Sequence, residues 1–253
     1  MTAAHDLASP LLTHNRPSYS VSLAKDEAEV RAAQLLRHQV FAGEMGAVLD
    51  TPVPGLDIDA LDAYCDHLLV TDDSTGLVVG TYRLLSPANA RRAGRTYSES
   101  EFDLGRLAGI RDDVVEVGRS CVHPAHRDGA VINLMWAGIA RYLHLTGRRW
   151  LAGCASVGLA DGGQTAAGVW DLVLRKHLSP PQRRVLPLRP WQPVERAGRL
   201  QVPPLLRGYL RLGAEVCGAP AYDPDFNCAD FYVLFSMDRL DPRYRRHFLG
   251  AAR

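Results

Sequence analysis

Glu116-Val117-Gly118-Arg119-Ser120-Cys121-Val122-His123-Pro124 sets a carboxylate and a guanidinium inside an otherwise apolar strand, and the rest of the chain is organised around it. Burial of either charge alone is costly. The segment therefore holds either a structural ion pair or a site that uses both groups. In a regular strand Glu116 and Ser120 share one face and Arg119 and Cys121 the other, unless a bulge near Gly118 re-aims them. The functional reading puts Glu116 beside a substrate amine, taking its proton directly or through water, while Arg119 fixes that carboxylate or the substrate. An amine attacking a thioester is its own nucleophile. No base is evident to activate Ser120 or Cys121, and backbone N–H groups at a bulge would serve the carbonyl oxygen.

Downstream, Arg127-Asp128-Gly129-Ala130-Val131-Ile132 leads into a helix whose Ile132, Met135, Trp136, Ile139, Tyr142 and Leu143 recur at three- and four-residue steps until Gly147. Its first amides form an anion site that would suit a phosphodiester, with Arg127, Gly129 and Ala130 as the contacts; a plain helix start reads equally well. Trp150 to Ser156 is a strand, Ala166 to His177 a helix, Leu205 to Leu212 a short helix after Pro203-Pro204, and Phe231 to Ser236 a last strand. Ser179 to Gln201 has no assignable pattern.

Upstream, Cys65 to Thr71 and Leu77 to Leu85 flank Asp72-Asp73-Ser74-Thr75-Gly76 and form a β-hairpin. Ser86 to Gly94 reads as a basic loop, and Gly46 to Asp62 as an acidic one. Ser18 to Leu23 alternates as a strand, and Asp26 with Glu29 forms a capping box opening a helix that carries Val30, Leu35, Leu36, Val40 and Phe41. Strands alternating with helices predict an α/β architecture around a mixed sheet. Asp57, Asp59, Asp62 and Asp66, with Glu44 and His67 nearby, are either a solvated loop or a recognition surface for a cationic amine.

Composition excludes several classes. With 47% hydrophobic and 23% charged residues and a net charge of +1, the chain is that of a globular protein without a nucleic-acid footprint. Five cysteines without a CxxC pair fit reduced thiols in a cytoplasm. Cys121, His123 and His126 lack a second ligand pair, so no metal is expected. Residues 1–17 form an expected flexible arm without signal-peptide character, and 18–253 a single domain. No apolar run approaches the roughly 20 residues of a membrane span. Peripheral contact is a second reading of the basic amphipathic stretch around Arg243, Tyr244, Arg245, Arg246, His247, Phe248 and Leu249, a solvated helix being the first.

Taken together, these blocks resemble the ornithine acyl-ACP N-acyltransferases, a branch of the GNAT superfamily related to acyl-homoserine-lactone synthases. The similarity rests on Arg37-His-Gln-Val-Phe41 with Glu44-Met-Gly46, Asp62-Ala-Tyr-Cys-Asp-His67, Val79-Gly-Thr-Tyr-Arg-Leu84 and Glu116 to Pro124. It extends through Gly153-Cys-Ala-Ser156, Pro203 to Arg211 and Asp225-Phe226. The resemblance implies a GNAT-like fold, a central mixed, mostly antiparallel sheet flanked by helices. It further implies transfer of a 3-hydroxyacyl group from acyl carrier protein to the α-amine of ornithine, the first step of ornithine-lipid synthesis. By position it assigns Glu116 and Arg119 as catalytic, and Arg37, Phe41, Asp62, Asp66 and Arg83, with Ser120, as substrate-binding.

The loop Arg127 to Ile132 lacks the second glycine of the Q/R-x-x-G-x-G/A coenzyme A loop. That suits the carrier protein's phosphopantetheine better than acyl-CoA, and no resident cofactor is expected. Arg91, Arg92 and Arg95 are candidate docking residues for that acidic partner. Two alternatives remain: a related synthase with another amine acceptor, and a non-catalytic carrier- or lipid-binding member.

Overall fold

The computed structural model describes residues 18–195, 198 and 201–240. The expected N-terminal arm and the basic C-terminal stretch at 243–249 lie outside the described residues. β1 (Tyr19–Leu23) precedes α1 (Glu27–His38), whose N-cap Asp26 accepts from the Glu29 amide at 2.9 Å while Glu29 accepts from the Lys25 amide at 2.7 Å. The two carboxylates thus satisfy amides that the first helical turn leaves without partners. A π-helical turn, Gln39–Glu44, continues α1 and carries Val40 and Phe41.

β2 (Asp66–Asp72) and β3 (Val78–Leu85) form the expected hairpin, with Asp72 accepting from the Ser74 amide and hydroxyl and Gly76 in the left-handed region. The segment read as a basic loop is instead helical: α2 (Pro87–Ala93) has Ser86 as its N-cap, Pro at its start and left-handed Gly94 at its end. The punctuation for a helix was present, but a run this short shows no periodicity.

β4 (Phe102–Asp103) and the central β5 (Val114–Val122) lead to α3 (Ala130–Thr146), bounded by left-handed Gly129 and Gly147, then β6 (Trp150–Gly158) and α4 (Gln164–Leu172). Within the unassigned region β7 (Leu186–Pro187) pairs with β4. α5 (Pro204–Arg211), β8 (Glu215–Val216), β9 (Ala221–Asp223) and β10 (Cys228–Ser236) complete the order. Strand order in the main sheet is β1-β2-β3-β5-β6-β10-β8, with β9 beside β10. Only β5 and β6 run parallel within this path, so the sheet is mixed and mostly antiparallel as expected.

Alternation along the strands builds two cores. Val115, Val117, Phe231 and Val233 pack with Met135, Ile139 and Leu143 of α3, while Ala152, Tyr232 and Leu234 meet Phe102 and Val185 on the opposite face. Among the described residues no helix is long and apolar enough to cross a membrane.

Two irregularities open the centre of the sheet. β5 and β6 pair only from Val114 and Trp150 to Glu116 and Ala152. Next to that pairing a Cβ on Gly153 would lie 2.2 Å from the Val117 carbonyl oxygen, and beyond it the ladder between the two strands stops. On the other side of β5, Thr81 faces Cys121 and Arg83 faces Gly118, so Tyr82 alone opposes both Arg119 and Ser120. Arg119 takes φ 51° there, a left-handed conformation unusual outside glycine and asparagine. This is the β-bulge anticipated near Gly118.

Candidate active site

The opening between β5 and β6 holds a cavity of about 210 Å³ lined by Tyr97, Gly118, Arg119, Ser120, Ser156 and Phe226, among others. A second groove of about 470 Å³ shares Phe41, Met45, Ser120 and Leu205 with it and runs to His126, Arg127 and Gly129 at the start of α3. Ser120 and Phe41 therefore stand at the junction of the cavity and the groove.

Arg37, Arg83 and Arg119 converge on the former acidic loop. Arg37 is buried and meets Asp62 at 2.6 and 3.0 Å, Asp57 Oδ2 at 2.8 Å and the Asp57 carbonyl. Arg83 binds Asp59 and Asp62 at 2.5 and 3.0 Å, and Arg119 lies 3.3 Å from both Asp57 and Asp59. Burial alone would raise the Asp62 carboxyl, but hydrogen bonds and charge from Arg37, with the charge of Arg83, hold it well below the usual carboxylate range. The loop is thus neither solvated nor left with free charge for a cationic amine. Its three carboxylates are matched by three guanidinium groups. Asp66 stands apart: it accepts from the Tyr142 hydroxyl at 2.7 Å and lines neither the cavity nor the groove, because its strand position turns it toward α3. Asp57 and Asp59 occupy the network instead.

Glu116 and Arg119 do not pair. The bulge sends Arg119 to the aspartates and over the rings of Tyr97 and Phe226. Glu116 stays on the sheet face opposite α3 and accepts from the Tyr97 and Ser98 amides at 2.7 and 2.9 Å. Burial pushes its carboxyl up against the opposing pull of those bonds. Glu116 lines neither the 210 Å³ cavity nor the groove, but it does line a further cavity of about 570 Å³ beside α2. A void of about 10 Å³ nevertheless lies between it and the cleft residues Arg83, Tyr97, Val117 and Gly118, the size of a single water site.

At the start of α3, Arg127 is bidentate to Glu44 at 2.6 and 2.7 Å, and Ala130 donates to its neighbour Asp128 at 3.0 Å. Two of the three expected anion-site contacts, Arg127 and Ala130, already have internal partners, while Gly129 lines the groove. His123 and His126 are also engaged, with the Ala125 amide and the Tyr19 hydroxyl.

A GNAT acetyltransferase domain model matches residues 36–137. The L-ornithine N(alpha)-acyltransferase of Brucella abortus is 33% identical across 91% of this chain and 89% of its own length. That of Rhizobium meliloti is 34% identical across 89% of this chain and 82% of its own. The chain belongs to the L-ornithine N(alpha)-acyltransferase family. Its fold matches that of the solved CoA-dependent acyl-homoserine lactone synthase BjaI, with a TM-score of 0.55 at 15% identity over 91% of this chain and 88% of that one. A GNAT-type acyltransferase is thus the fold and enzyme class the motif blocks implied.

This family member also carries groups that motif spacing did not reveal. Tyr97 closes one side of the cleft and donates to Asp223 at 3.3 Å. Behind it lie Glu101 and Asp230, of which Asp230 sits in the apolar run of β10 much as Glu116 sits in β5. The same signal, a carboxylate inside an apolar strand, was available at Cys228-Ala229-Asp230.

Burial, moderated by Ser156 and reinforced by Asp223, pushes the Asp230 carboxyl up to about 6. Burial and the charges of Asp223 and Asp230 push Glu101 up to about 7. A carboxyl raised on folding favours the protonated form in the native state, so its contribution is present below pH 4 and lost as pH rises through 6. Asp230→Asn is therefore expected to leave stability little changed at pH 4.5 and to raise it at pH 8 by on the order of 1–3 kcal/mol. Urea denaturation of both proteins at the two pH values reads this directly, and equal differences at both would refute it.

Proposed function

We propose that the chain transfers a 3-hydroxyacyl group from the phosphopantetheine arm of acyl carrier protein to the α-amine of ornithine, the first step of ornithine-lipid synthesis. The observation that carries this reading is the junction at Phe41 and Ser120 of a long groove and a short polar cavity, inside a fold shared with ornithine acyltransferases. The groove takes the pantetheine arm and the cavity takes the amino acid. Arg119 lines the cavity between Tyr97 and Phe226, and the guanidinium donors that Asp57 and Asp59 do not engage receive the α-carboxylate, so its role is substrate placement.

The unprotonated α-amine attacks the thioester carbonyl carbon, a C–N bond forms, and collapse of the tetrahedral intermediate breaks the C–S bond. Amides at the 118–120 bulge stabilise the oxyanion. The attacking nitrogen loses a proton through a water in the small void to Glu116, whose proton affinity burial raises above that of an ordinary carboxylate. The departing thiolate is protonated in turn. Arg37, Arg83 and Asp62 act as positioning residues that hold Arg119 and the loop beside it. Asp66 is left out of the substrate contacts by its place at Tyr142.

A carrier-protein donor is supported by the loop 127–132, which lacks the second glycine of the coenzyme A loop and so offers fewer free amides to a pyrophosphate; for either donor Arg127 would have to leave Glu44. Arg91, Arg92 and Arg95 are on or beside α2, and Arg91 lines a separate cavity of about 570 Å³, so the groove itself gives them no docking role. Five free thiols support a reducing cytoplasm. The test is product mass from purified protein given 3-hydroxyacyl carrier protein or acyl-CoA with ornithine and other amines. Acyl-ornithine from the carrier-protein donor supports the reading; acylation of a different amine, or of none, overturns it.

A further inference from the structure

Three guanidinium groups neutralise Asp57, Asp59 and Asp62, so the loop that the sequence offered for a cationic substrate has no charge to spare. A diamino acid acylated on its α-amine still carries a second ammonium into the cavity. The surplus negative charge beside the cleft lies elsewhere, on Glu101, Asp223 and Asp230. Among the described residues one half-exposed guanidinium, Arg189, reaches this group, at 3.3 Å from Glu101. The charge of Arg119 is felt by Asp230, but Arg119 is itself paired with Asp57 and Asp59.

Two oxygens in this cluster point to a missing partner. Asp230 Oδ2 and Glu101 Oε2 are both buried and take no hydrogen bond, although their residues are 0% and 5% exposed. Buried carboxylate oxygens are ordinarily satisfied, and each left bare costs on the order of 1–3 kcal/mol. The cluster adjoins the cavity through two residues. Tyr97 lines the cavity and spends its hydroxyl on Asp223 at 3.3 Å, a long bond that a stronger donor would readily replace. Ser156 also lines the cavity and is the cross-strand partner of Asp230, which places their side chains on one sheet face about 5 Å apart.

We infer that Asp230, with Asp223 and Glu101, is the subsite that receives the side-chain ammonium of the acceptor and selects diamino acids over neutral ones. This rests on the ornithine reading above. With the α-carboxylate at Arg119 and the α-amine at the 118–120 bulge, the side chain extends past Tyr97 and Ser156 toward β10. Asp230 is then a specificity residue, remote from the reacting atoms. The raised proton affinities of Asp230 and Glu101 agree with a site built for a cation that arrives with the substrate. Asp223, Cys228 and Asp230 also have the spacing of a metal group. Cys228, however, is held far above its usual range by burial and the neighbouring carboxylates, and its thiol donates to Asp230 at 3.3 Å, so the thiolate a soft metal needs is disfavoured.

The test compares wild type, Asp230→Asn and Glu101→Gln with ornithine and with norvaline, which has the same carbon chain without the terminal amine. Wild type is expected to prefer ornithine by at least about 100-fold in kcat/KM. Asp230→Asn should cut that preference at least about 10-fold, mainly through the KM for ornithine, with norvaline turnover kept or improved. Glu101→Gln should act in the same direction. Norvaline turnover reports that each variant is folded. An unchanged preference in Asp230→Asn overturns the inference while leaving ornithine acylation intact. Wild type that acylates other amines but never ornithine instead overturns the underlying reading. Stoichiometric Zn²⁺ binding by calorimetry without ornithine, lost in Asp230→Asn, would assign the cluster to a metal and also overturn the inference.

Discussion

Glu116→Gln is expected to lower kcat by about 100-fold or more, with the KM for either substrate changed little. Both carboxylate oxygens of Glu116 accept from backbone amides, and the neighbouring void lies between the group and the cleft residues Arg83, Tyr97 and Gly118. Glutamine retains one acceptor oxygen but turns an NH₂ toward an amide that needs an acceptor. A stability loss of about 1–3 kcal/mol therefore accompanies the kinetic loss. The two effects separate experimentally. A residue that only anchored the Tyr97–Ser98 turn would move stability and KM and leave the pH profile of kcat unaltered. A proton acceptor gives wild type an acidic limb, where protonation of Glu116 stops turnover, and that limb disappears in the variant. A kcat within threefold of wild type would remove Glu116 from the chemistry.

Arg37→Ala is expected to destabilise the fold by about 3–5 kcal/mol, the range for removing one partner of a buried ion pair. Arg37 is 1% exposed and ties α1 to the 57–62 loop through Asp57 and Asp62. Without it, Asp62 keeps Arg83 and the Gln34 amide, and Asp57 keeps Arg119, in a site with little water. Arg37→Lys should recover a minor part, since an ammonium cannot span two carboxylates and a carbonyl as a planar fork does. The network also fixes the acid limit. Asp62 is depressed on folding, so its contribution is present above the ordinary carboxylate range and lost as pH falls below it. Urea midpoints of the three proteins at pH 7 decide the matter. A loss below 1 kcal/mol in Arg37→Ala would show that the ion pairs contribute nothing net.

Much of the scaffold was legible without coordinates because its signals are local. Asp26 with Glu29, the Asp72 to Gly76 turn and the three- and four-residue spacing after Gly129 each depend on neighbours a few positions away. The missed helix at 87–93 is too short to show a period, though Ser86, Pro87 and Gly94 marked its ends. The site was legible only in part. Arg37, Phe41, Arg83, Arg119 and Ser120 gather at or beside the cleft as the motif blocks implied, whereas Asp66 faces Tyr142 and Glu116 faces the Tyr97–Ser98 turn.

By itself the sequence determined most of the order of strands and helices, the family, and that charges such as Glu116 and Arg119 sit in apolar strands, because periodicity, capping and motif spacing act along the chain. The tertiary structure alone decided which carboxylate meets which guanidinium. Arg37 and Asp62 are 25 residues apart, Tyr97 and Asp223 126, and Asp230 meets Ser156 only across β10 and β6. A one-residue bulge at Arg119 re-aims its guanidinium, which meets Asp57 and Asp59 from distant parts of the chain. Charge compensation in a low-dielectric interior depends on distances of a few ångströms between segments, and spacing along the chain does not encode those distances.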